Sequence, residues 1–137
     1  MDAGAAVEDA ARQRWPQAYA GVELHVEANV LAVHRIPSGR ALDQAIRGLV
    51  PATNVLLVDA VHSERQLTSW QSEVFHDRAY WHSQGIDING TSTDMGSCVV
   101  VAVDSPDRHR AVITAFYPHM PLRIEYGGEA VPLTTAR

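Results

Sequence analysis

The chain has 137 residues and a formal net charge of −5 at neutral pH, a length that fits one domain over 1–137 burying roughly 65–70% of its unfolded surface. All 11 basic residues are arginine, which excludes lysine Schiff-base chemistry and a P-loop phosphate clamp. The arginines are scattered, so neither nucleic acid nor membrane is expected as a partner, and no stretch approaches the roughly 20 apolar residues of a membrane span.

Met1-Asp2-Ala3-Gly4 lacks the basic and apolar regions of a signal peptide. As written the chain reads as cytoplasmic, and as secreted if such a peptide has been removed. Residues 5–14 are Ala-rich with Glu8, Asp9, Arg12 and Arg14, a short helix stopped at Trp15-Pro16. Strands are expected over 20–26 and 30–36, joined at Glu27-Ala28-Asn29, where asparagine tolerates the positive φ of a tight hairpin. Ser38 is placed to cap a helix whose apolar positions Leu42, Ala45, Ile46 and Leu49 recur at three and four, and Pro51 stops it. Val55-Leu56-Leu57-Val58 suits a strand.

Ser63 and Gln66 form a capping box that starts the longest helix, about 64–83, and Gly85 ends it. Leu67, Trp70, Val74 and Trp81 lie on one stripe with Phe75 and Tyr80 beside it, all expected as core, and Asp77 and Arg78 interrupt that stripe. Gly85-Ile86-Asp87-Ile88 then opens a second hairpin that returns through Cys98–Val103. Its long polar loop carries Thr91, Ser92, Thr93 and Asp94. Cys98, the only cysteine, excludes a disulfide framework and reads as a small buried hydrophobe. Ser105-Pro106-Asp107 starts a helix with Val112, Ala115 and Phe116 as its apolar face, and Leu122–Tyr126 alternates as a half-exposed strand. Residues 127–137 read as a tail.

The same strand-strand-helix-strand order therefore occurs twice, over 20–61 and 85–126, joined by a linking helix over 63–84. The fold class expected is α+β, with helices mainly on one face of one mixed sheet or two. This order, with its Ser-x-x-Gln helix start, Gly-Ile-x-Ile strand, polar loop and Val-Val-Val strand, resembles the pro-regions of alpha-lytic and streptogrisin-type bacterial serine proteases. The resemblance covers about residues 15–126. It implies a stand-alone chaperone or inhibitor whose partner is a protease, with the sheet and the C-terminal tail packing on it.

No constellation for catalysis or metal binding is evident. The seven histidines form neither His-x-His nor His-Glu-x-x-His, and His76 and His82 sit six apart on one helix. No metal and no cofactor are therefore expected. His62-Ser63-Glu64 is a helix start rather than a triad. The reading is a non-catalytic interaction module whose partner is another protein, using an exposed sheet edge and the tail residues Val131, Pro132, Leu133 and Thr134. The alternative is a small enzyme with an acid-base pocket built from His76, Asp77, His82, Asp87 and Asp94. Self-association into a homo-oligomer through open edge strands fits either reading.

Overall fold

Alternation along each predicted hairpin puts one apolar side chain in two on the face that helices can cover. The computed structural model describes residues 2–128 and contains two such hairpins, the first where it is expected and the second with a different first strand. Its elements are α1 (Ala3–Arg14), β1 (Tyr19–His25), β2 (Val30–Arg35), α2 (Arg40–Leu49), β3 (Val55–Asp59), α3 (Glu64–His76), α4 (Arg78–Ser83), β4 (Gly90–Asp94), β5 (Cys98–Val103), α5 (Pro106–Phe116) and β6 (Leu122–Tyr126). The strands form two separate three-stranded sheets, β1-β2-β3 and β4-β5-β6. In each sheet the first pair is antiparallel and the second parallel. The fold is thus α+β with a repeated ββαβ order. Two compact units result. The first runs to Leu67 and includes Met95–Ser97, and the second takes Thr68–Asp94 and Cys98 onward.

In the first unit Leu31 and Val33 of β2 are buried beside Leu42, Ile46 and Val50 of the α2 region and Val7 and Ala11 of α1. Val22, Val55 and Leu57 extend this apolar face across the sheet. Asn29 has φ 52° at the hairpin turn, as its residue type anticipates. Asp2 caps α1 through Ala5 N at 2.8 Å. Arg12 then grips Glu64 with Nε and one terminal nitrogen at 2.7 and 2.9 Å. Ser38 does not cap α2: its hydroxyl donates to Ile36 O, and Gly39, at φ 99°, occupies the cap position. Arg35 is 7% exposed and closes the sheet end, donating to both carboxylate oxygens of Asp43 on α2 and to Asp59 on β3 at 2.7 Å. The hydrogen bond from Arg35 holds the Asp43 carboxyl below its ordinary range.

The second unit departs from the sequence reading in three places. The helix expected over 64–83 is interrupted at Asp77, so α3 and α4 are separate. The polar gap in the stripe has a partner: the Tyr117 hydroxyl donates to Asp77 Oδ2 at 2.8 Å and accepts from Trp81 Nε1 at 3.0 Å. Burial pushes the Tyr117 phenol above its ordinary range. Second, Gly85-Ile86-Asp87-Ile88 is not a strand. Gly85 takes φ 79° and the Ile86 amide bonds back to Trp81 O at 2.9 Å, so these residues are spent on ending the helix. The strand begins at Gly90, and Thr91, Ser92, Thr93 and Asp94 pair with Val101, Val100, Val99 and Cys98 rather than forming a loop. Only Met95-Gly96-Ser97 turns. Third, α5 buries Ile113 and is followed by buried Tyr117, whereas Val112 and Phe116 are about half exposed. Trp81 and Val74 are core as expected, while Phe75 and Tyr80 are a little under half exposed.

Two outcomes test these packing arguments. Asp43→Ala is expected to cost about 2 kcal/mol in denaturant unfolding, because Arg35 stays buried with one carboxylate fewer. Asp43 is depressed in the folded state, so its contribution is full above the ordinary carboxyl range near 3.8 and fades as pH falls below it; the variant should show a shallower acid limb. Tyr117→Phe strands the Trp81 indole N–H and is expected to cost about 1–3 kcal/mol, with a change in tryptophan fluorescence of the folded state.

Candidate interaction surface

In a parallel pair, every second residue of a strand directs both its N–H and C=O at its neighbour, and the residues between direct theirs away. In the second unit Val99 N bonds Pro121 O and Gly127 N bonds Val103 O. The inward set on β6 is therefore odd-numbered, and Leu122, Ile124 and Tyr126 turn their backbone groups outward. β6 takes no further strand among the described residues, and Ile124 at its centre is 5% exposed. One guard stands over it: Arg110 of α5 reaches Ile124 O at 3.5 Å while holding Asp107 at 2.8 Å.

Beside this edge lies a groove of about 790 Å³. Ala111, Thr114 and Ala115 of α5 form one wall, and Leu122, Arg123 and Ile124 of β6 form the other. The small α5 side chains leave the space. Arg123 and Glu125 alternate with this face and are exposed; they are bonded to each other, and Arg123 also holds Asp94 at 2.8 Å. Those two acids keep the Arg123 guanidinium more firmly protonated than usual. Tyr126 is 74% exposed.

Other strand carbonyls are guarded more tightly. The same parity applied to Leu31 N to Asn54 O and Ala60 N to Arg35 O turns Val55, Leu57 and Asp59 of β3 outward. There Arg47 of α2 donates to Val55 O at 2.8 Å. On β4, Gln71 of α3 donates to Thr91 O at 3.0 Å. Side chains on edge carbonyls are one way a protein prevents unwanted strand addition.

The residues proposed for acid-base work fall into separate arrangements. Asp77 bonds Tyr117, His82 Nδ1 lies 2.5 Å from Asp87, and Asp94 serves Arg123. Of the five, His76 alone lines the concave region of about 560 Å³ formed by Gln71, Ser72, Phe75, Arg78, Gly90 and Thr91. No group of three His, Cys, Asp or Glu side chains among the described residues is arranged to hold a metal ion. On β1 and β2, Glu23 stands between His34 at 3.3 Å and His25 at 3.6 Å, so the two histidines lie on one side of the first hairpin. Val131, Pro132, Leu133 and Thr134 lie outside the described residues. Sequence reasoning found the alternation of β6 but missed Arg110 and the groove; the alanine pair at 111 and 115, four apart, was the available signal.

No protein-family model matches the chain. No curated protein matches it either. Among solved structures it is similar to the periplasmic domain of the T3SS inner membrane protein PrgH from S. typhimurium (fragment 170–392), with 14% identity and a TM-score of 0.36 over 92% of this chain and 70% of that one. No helix among the described residues is long and apolar enough to cross a membrane.

Proposed function

We propose that this chain is a non-catalytic interaction module that takes an extended segment of a protein partner onto the outer edge of β6. The observation that carries this is the coincidence of an open parallel edge with a groove along it. Strand addition draws affinity from main-chain hydrogen bonds and specificity from pockets that receive alternate side chains, and β6 with α5 offers both. The dispersal of Asp77, His82 and Asp94 among separate partners supports binding over acid-base chemistry. A serine protease of the alpha-lytic type is the partner that the sequence resemblance names, and in that case the module acts as chaperone or inhibitor.

The test is a selection of displayed random peptides on the full chain, with alpha-lytic-type protease as a separate probe. Tyr126→Pro removes one outward amide of β6 and leaves the inward ladder to β5 intact. Selected peptides are expected to bind the parent and to lose about tenfold in affinity on Tyr126→Pro. Their titration should shift the amide resonances of Leu122, Ile124 and Tyr126. Peptides that bind parent and variant equally, or a selection on the monomeric chain that enriches none, would overturn the edge as the binding site. Truncation after Gly128 reports separately on the tail.

A further inference from the structure

The sequence of β6, Leu122-Arg123-Ile124-Glu125-Tyr126, is complementary in charge to itself when read backwards about Ile124. We propose that the occupant of the β6 edge is a second copy of this chain, paired antiparallel through β6 with a two-fold axis at Ile124. This inference rests on the edge reading above and names its partner.

The parity of the strand makes this register specific. Leu122, Ile124 and Tyr126 carry the outward backbone groups, and antiparallel pairing centred on Ile124 sets Ile124 against Ile124 and Leu122 against Tyr126, all as hydrogen-bonded pairs. The intervening residues become the non-hydrogen-bonded pairs, whose Cα atoms approach to about 4.5 Å and whose side chains are in closest contact. In those places Arg123 faces Glu125 of the second copy, and Glu125 faces its Arg123. A slip of one residue in either direction aims outward groups at residues whose groups point inward. A slip of two sets Arg123 opposite Arg123 or Glu125 opposite Glu125.

The remaining side chains fit as well. Leu122 and Tyr126 of the added strand lie on the face that Ile124 shares with the groove, where Ala111 and Ala115 leave room. This gives a role to a tyrosine that is 74% exposed. The competing bond from Arg110 to Ile124 O is long, at 3.5 Å, and Asp107 retains that arginine when the strand arrives. No equivalent register exists at β3, where Leu56 and Val58 stand where β6 carries Arg123 and Glu125.

The experiment is a charge-swap cycle on the full chain, read by sedimentation velocity across a concentration series. The parent is expected to dimerise. Arg123→Glu and Glu125→Arg, which each set like charges opposite one another, should each weaken the dimer about tenfold or more, and the double swap should return it to within about threefold of the parent. Mixing the two single variants should also restore pairing, because each copy then meets opposite charges across the axis, whereas a role confined to the Arg123–Glu125 bond within one copy would not be rescued by mixing. Tyr126→Pro, at an exposed position, should weaken the dimer without charge change. A parent that stays monomeric, or a double swap as weak as the single variants, would overturn self-pairing. If the parent is monomeric yet loses selected peptides on Tyr126→Pro, self-pairing falls and the edge reading stands; if it is monomeric and peptide binding ignores Tyr126→Pro, both fall.

Discussion

The parallel ladder that closes each unit governs what the molecule can present. A strand joined to its predecessor through a crossover helix must end up beside it and parallel, and when it is the last strand it leaves alternate N–H and C=O groups without ladder partners. β3 and β6 both stand in this position. Their exposed backbone is a consequence of the repeated ββαβ order, before any side chain is chosen. What side chains decide is how closely the edge is held: Arg47 lies 2.8 Å from Val55 O, and Arg110 lies 3.5 Å from Ile124 O.

Much of this architecture could be read from the residues, and the errors have physical causes. Asn29, Gly85, Ser63 and Pro106 mark ends of elements through their own backbone or capping chemistry, and local chemistry is what a sequence states directly. Ser63 indeed accepts from Gln66 N at 3.1 Å. The placement of β4 failed because its residues, Gly-Thr-Ser-Thr-Asp, carry no apolar alternation of their own; their strand conformation comes from pairing with Cys98–Ala102. The α5 face was misassigned for a different reason. Val112 with Phe116 and Ile113 with Tyr117 are both four-residue stripes, and the choice between them depends on Tyr117 meeting Asp77 and Trp81, which are about 40 residues distant in sequence.

The position of β6 at a sheet edge was the part least visible in the sequence. Alternation showed that Leu122–Tyr126 is a half-exposed strand, yet whether a strand is central or at an edge depends on sheet order, which alternation does not encode. Two separate sheets supply four edge strands where one sheet of six would supply two. Separation of the sheets therefore leaves β6 at an edge beside the α5 groove.

The two repeats share a topology and differ in chemistry at the same ladder positions. The last parallel pair of the first unit is Arg35 with Asp59, tied also to Asp43; in the second unit the matching pair is Val103 with Tyr126. A charge triad anchors the end of β3 to its neighbours, so adding a strand there would cover Asp59 and crowd its bond to a nearly buried guanidinium. Desolvating such a carboxylate is costly unless it keeps its partner. Valine and tyrosine at the matching positions carry no such cost, and arginine and glutamate stand at the alternate positions of β6. The two units thus carry different chemistry at the same ladder positions, with charge tied down at the end of β3 and none at the end of β6.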